Sequence, residues 1–66
     1  MIKLYLFSDK RIIIEKYKTI KEISDEKIIV DEYIINGKIL RIKQMNKFML
    51  DINGEVNSIE ISSKDW

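Results

Sequence analysis

Isoleucine fills fifteen of the 66 positions, alanine and proline fill none, and the isoleucines never run longer than three in a row. That pattern narrows the fold before any other feature does. A side chain branched at Cβ keeps few rotamers and packs best on a pleated, half-buried surface. Repeated at every second residue, it turns one face of a strand toward a core. The stretch "KFMLDI" reads this way, with Phe48, Leu50 and Ile52 on one side and Met49 and Asp51 on the other. "KILRIKQM" does the same through Leu40 and Ile42.

Two Asn-Gly dipeptides separate such runs. This is the strongest short hairpin signal, because a type I′ turn needs positive φ at both central residues. Asn36-Gly37 is therefore expected as the turn joining "IIVDEYII" to "KILRIKQM". Asn53-Gly54 is expected as the turn joining "KFMLDI" to "EVNSIEI". Changes of apolar phase predict a bend near Asp31-Glu32 and a bulge near Asn57-Ser58. Asn46, in "QMNK", is expected as a left-handed turn residue.

In the N-terminal third, "IKLYLF", the turn "SDK" and "RIIIE" read as a hairpin, followed by a strand "KTIKEIS" and a turn "SDEK". A helix over residues 9–24 competes. Ile13, Tyr17 and Ile20 would form its stripe, with Ser8 or Asp9 as N-cap. Three consecutive β-branched residues and the lack of alanine favour strands. Turns near positions 9, 16, 25, 36, 46 and 54 have the spacing of about 8–12 residues found in antiparallel meanders. The expected fold is one all-β domain over residues 1–66, a small antiparallel meander of six or seven strands, twisted or rolled.

The chain has no cysteine and no histidine. It lacks the usual ligands of zinc, iron–sulfur and haem centres; a carboxylate-only magnesium or calcium site stays open, but no calcium-loop pattern is present, and no cofactor or metal is expected. A Ser-His dyad is impossible. A Ser-Lys pair would need a desolvated lysine, and the lysines sit among charged or turn residues. The carboxylate pairs Asp25-Glu26 and Asp31-Glu32 are adjacent in sequence, and neighbours on a strand point to opposite faces. No catalytic residue is assigned, and no enzyme is expected.

Net charge is +1, with 12 basic and 11 acidic side chains interspersed. That is a solvated surface, not the footprint of a nucleic-acid or lipid binder. The longest apolar run, Leu4 to Phe7, is far short of the ~20 residues of a membrane helix. "MIKLYLFSDK" also makes a poor secretory leader. A cytoplasmic protein without direct membrane insertion is expected.

Several segments together resemble the YabP/YqfC family of sporulation proteins. They are "IEKYKTI" (Ile14 to Ile20), "SDEKIIV" (Ser24 to Val30), "INGKILRI" (Ile35 to Ile42) and "INGEVNSIE" (Ile52 to Glu60). The likeness covers residues 2–61. Lys16 stands where the family often has asparagine, and Thr19 where it often has glycine. The resemblance implies a small β protein of the mother-cell compartment, needed for spore formation and without known enzymatic activity. It also implies a membrane-bound sporulation protein as partner.

Partner binding is accordingly the leading functional expectation. Apolar residues on both faces of "LYLF", "RIII" and "IIV" exceed what one short sheet can cover, and exposed apolar patches mark interaction sites. An uncovered strand edge is a second route to association. The candidate surface comprises Tyr5, Phe7, Ile13, Tyr33, Phe48 and Trp66, with self-association expected. The alternative is a small barrel that stacks nucleic-acid bases on its aromatics, with Arg11, Arg41 and Lys43 nearby.

Overall fold

A computed structural model describes residues 2–62. Six strands form one antiparallel sheet: β1 (Lys3–Phe7), β2 (Arg11–Glu15), β3 (Ile20–Ile23), β4 (Lys27–Val30), β5 (Tyr33–Met45) and β6 (Met49–Ile61). The expected all-β antiparallel fold is present. No helix occurs among the described residues, so residues 9–24 take the strand alternative. The order across the sheet is β1-β2-β6-β5-β4-β3. Strands β3 to β6 follow one another as a meander, and the β1–β2 hairpin lies against β6. The sheet is not closed into a barrel.

Length decides its shape. A straight 13-residue strand would span about 43 Å, yet the longest dimension of the molecule is 31 Å. β5 and β6 must therefore bend. Extra residues supply the bends. Asn57 is extra on β6, between the pairs Asn36–Ser58 and Gly37–Val56. Ile39-Leu40 face Gly54 alone, and Lys43 is extra between Ile42–Ile52 and Gln44–Asp51. The bulge expected near Asn57-Ser58 is one of these. Bending folds the sheet into two layers that share the β5–β6 ribbon. β1, β2 and the adjoining halves of β6 and β5 make the first layer. β3, β4 and the other halves make the second.

The two Asn-Gly turns expected from the sequence are not turns. Asn36 and Gly37 lie inside β5, and Asn53 and Gly54 lie inside β6. Glycine is required there because the paired β5 and β6 backbones lie unusually close at these two points, the crossings of the bent ribbon. A Cβ on Gly37 would overlap the carbonyl oxygen of Glu55. A Cβ on Gly54 would overlap the Ile39 carbonyl oxygen and come within 2.8 Å of Leu40 Cα, and Gly54 has φ 138°. The reversals fall elsewhere. Asp31-Glu32, expected as a bend, is the turn between β4 and β5, with Asp31 at φ 53°. Asn46 does turn the chain, but not through a left-handed backbone. Its side-chain Oδ1 accepts from the N–H groups of Phe48 (2.8 Å) and Met49 (2.9 Å).

The two layers are near copies of each other. "SDKRIII" (Ser8 to Ile14) and "SDEKIIV" (Ser24 to Val30) each supply a turn and a strand, and "INGK" and "INGE" supply the two crossings. The pairs Arg11–Asn53, Ile12–Ile52 and Ile14–Leu50 match Lys27–Asn36, Ile28–Ile35 and Val30–Tyr33. Gly54 N–H donates to the Lys10 carbonyl (3.2 Å), as Gly37 N–H donates to the Glu26 carbonyl (3.0 Å). A pseudo-two-fold axis thus runs through the ribbon. Its inner faces bury Ile12, Ile14, Leu50 and Ile52 against Ile28, Val30, Ile35 and Leu40. Each such side chain contributes about 1.5–3 kcal/mol by leaving water.

Candidate functional site

The folded sheet covers its inner faces with its own chain. The apolar surface expected to need a partner therefore shrinks to particular places. Three consecutive exposed apolar residues, Tyr5, Leu6 and Phe7, are on β1. All four apolar residues of this strand project from a sheet edge, and Tyr5, Leu6 and Phe7 are 42%, 53% and 51% exposed. Alternation sends Leu4 and Leu6 inward, beside Ile14 and Ile12, and sends Tyr5 and Phe7 outward, beside Ile13 and Arg11. The edge position explains the exposure of Leu6. It has Ile12 on one side and no strand of the described residues on the other.

The outward side of the first layer carries a charged pair. Arg11 grips Asp51 with two hydrogen bonds, Nε to Oδ1 at 3.1 Å and Nη2 to Oδ2 at 3.0 Å. Asn53 adds a third to Oδ1 at 3.1 Å. Asp51 is covered by its neighbours, whereas the Arg11 side chain is half in solvent. The Arg11 hydrogen bond holds the Asp51 carboxyl below the ordinary carboxylate range, against the opposing effect of its burial. The same bond raises Arg11. The guanidinium also lies 5.7 Å from the centre of the Phe7 ring, within cation–π range. Arg11 thus fixes the outer surface beside β1 by holding Asp51 at one end and Phe7 at the other.

Of the residues expected to form one interaction surface, Tyr5, Phe7 and Ile13 are brought together here. Tyr5 and Ile13 are cross-strand partners, and Ile13 is next to Asp51 across β6. Phe48 is 70% exposed but sits in the β5–β6 turn, beside Lys47. Tyr33 is half-buried in the second layer, in a groove away from that patch. Trp66 lies outside the described residues. Sequence reasoning missed Leu6 and Arg11 as members of the β1 surface. Leu6 was legible as part of the apolar run "LYLF", and its exposure follows from strand order.

The Tyr33 groove encloses about 690 Å³ and is lined by Ile2, Lys16, Lys18, Thr19, Lys21, Asp31 and Glu32 among others. Its main carboxylate is already engaged. Asp31 accepts from the backbone N–H of Lys18 (3.0 Å) and of Thr19 (2.8 Å), which pins the β2–β3 connection to the β4–β5 turn. The serines have local tasks. Ser24 Oγ accepts from Lys27 N–H and Ser8 Oγ from Lys10 N–H, both within turns. Ser58 Oγ accepts from the Asn36 side chain. Among the described residues no group of three or more carboxylates gathers as a metal site. These residues include no helix long and apolar enough to cross a membrane. Compared with models of protein families, with curated proteins and with solved structures, the chain gives no match.

Proposed function

We propose that this chain is a non-catalytic module of spore formation that acts through protein contacts. The observation that carries the reading is the β1 edge, where Tyr5, Leu6 and Phe7 stand in solvent on an unpaired strand. Exposed apolar strands are costly to keep, since they template unwanted pairing, and a binding role accounts for one. The resemblance to YabP/YqfC proteins supplies the setting: the mother-cell cytoplasm, with self-association and a membrane-bound sporulation protein as the partners. The nucleic-acid alternative has less support. The open sheet lacks the barrel it needs, the aromatics are dispersed, and the guanidinium nearest the β1 aromatics is committed to Asp51.

Deleting the coding sequence in the host tests this reading. Loss of heat-resistant spores with normal vegetative growth is the expected result. Normal spore counts would contradict it. Salt-sensitive binding of single-stranded oligonucleotide by the purified chain would favour the alternative.

A further inference from the structure

The folded sheet has four free stretches of edge among its described residues. They are β1, β3, the second half of β5 and the second half of β6. Natural proteins blunt such edges with charge, bulges or cover. Three of the four follow that rule. β3 carries Lys21 and Glu22, and its register slips between Ile20 and Glu22. The β5 edge carries Arg41 and Lys43, with Lys43 bulged. The β6 edge carries Glu60 and the Asn57 bulge. β1 has neither device. Its five residues pair in unbroken register with β2, and Lys3 at one end is its only charge.

The pseudo-two-fold axis makes this comparison internal to one molecule. β1 and β3 are equivalent edge strands: by cross-strand register Tyr5 stands where β3 has Glu22 and Leu6 where it has Ile23, and Lys21 is the extra residue at the β3 bulge, with no counterpart on β1. The same architectural position is guarded in one copy and open in the other. Fold requirements cannot account for the difference, because both edges meet the same fold.

We propose that β1 pairs with β1 of a second copy, antiparallel about a two-fold axis at Tyr5, so that two first layers join into one continuous sheet. This rests on the contact reading above and names the partner for that surface. The sequence of β1 is complementary to itself in this register. Tyr5 meets Tyr5, Leu4 meets Leu6, and Lys3 meets Phe7. No charge faces a like charge across the new pair. The two lysines stand at opposite ends, about 13 Å apart along the strands, beyond the screening length of about 8 Å at physiological salt. Each Lys3 keeps Glu15 as its cross-strand neighbour within its own chain. Leu6 gains Leu4 of the partner copy on its open side, which extends the inner apolar row across the axis. An isologous contact of this kind closes on itself and leaves the charged β3 edges outside.

The test is solution mass against concentration for the wild-type chain, for Tyr5→Lys and for Lys21→Ala. The wild type should move from 7.9 kDa toward twice that mass as concentration rises. Tyr5→Lys places two lysines opposite each other and should weaken association about tenfold or more. Lys21→Ala, on the equivalent guarded edge, should leave it unchanged. Hydrogen exchange on the wild type gives a second readout: β1 amides should gain protection with concentration and β3 amides should not. A wild-type chain that stays monomeric to millimolar concentration overturns the pairing. So does a dimer that is indifferent to Tyr5→Lys and leaves β1 amides unprotected. Neither result touches the wider reading, which fails only if spores form normally without the gene.

Discussion

Replacing Gly54 by alanine separates two roles for an Asn-Gly dipeptide. At a hairpin tip, an alanine with positive φ would cost about 1–2 kcal/mol, and the two dipeptides would behave alike. At a crossing the cost has two sources. Gly54 has φ 138°, a conformation that side chains rarely adopt, worth about 1–3 kcal/mol. The new Cβ would also strike the Ile39 carbonyl and Leu40 Cα, which are backbone atoms that cannot rotate away. Forcing backbone to shift adds about 1–3 kcal/mol. The sum is about 2–6 kcal/mol, against a total of about 3–10 kcal/mol for a domain of this length. At a urea dependence of about 1 kcal/mol per M, the midpoint should fall by about 2 M or more, read by far-ultraviolet circular dichroism. Gly37→Ala carries no φ penalty, but its Cβ would overlap the Glu55 carbonyl oxygen still more closely, so it should lose about 1–3 kcal/mol from the clash alone. If both variants lose the same amount, and under about 2 kcal/mol, the crossing is wrong and the hairpin tips are right.

Two further perturbations follow from the same geometry. Ile39 is a β-branched residue at φ 54° and is 64% exposed, so its side chain gains little from the strain it carries. Ile39→Gly should raise stability by about 1 kcal/mol in the same urea titration; a loss of that size would show that the isoleucine packs usefully. Asp51 predicts a pH dependence. Its carboxyl is held below the ordinary value of 3.8 by Arg11, so the folded chain binds fewer protons than the unfolded one in acid. The stabilisation is fully present above that ordinary value and is lost as pH falls through the lower folded value. Asp51→Asn should therefore flatten the fall in urea midpoint below about pH 4. Parallel curves for the two proteins would contradict the pairing.

The strands were legible because their signal is local. Runs of β-branched residues marked β2 and β4, alternation marked both halves of the ribbon, and the slip of phase at Val56 marked the Asn57 bulge. "SDK" and "SDEK" marked two turns for the same reason. The Asn-Gly positions misled because the hairpin rule sees only neighbours in sequence. Glycine there answers to Glu55 and Ile39 on the facing strand, a contact made by folding the ribbon over. The break at Asp31-Glu32 was visible as a phase change, but the same signal serves a bulge and a two-residue turn. One cue was available and unread. The repeat of "SDKRIII" as "SDEKIIV", together with "INGK" and "INGE", encodes the pseudo-two-fold axis. It would have placed both dipeptides at equivalent points of one ribbon. The β1 surface was half legible: composition revealed the apolar strand, while its place at an edge depended on strand order.

Every functional inference depends on β5 and β6 being continuous strands that cross at their glycines, since that folding hides the inner faces and leaves β1 at an edge. Amide hydrogen exchange at Gly37 and Gly54 tests it most directly. Their N–H groups donate to the carbonyls of Glu26 and Lys10, in the turns before β4 and β2, so both should be protected from exchange as the amides of a paired strand are. Exchange as fast as at the tips of open hairpins would contradict the fold and the interaction surface built on it.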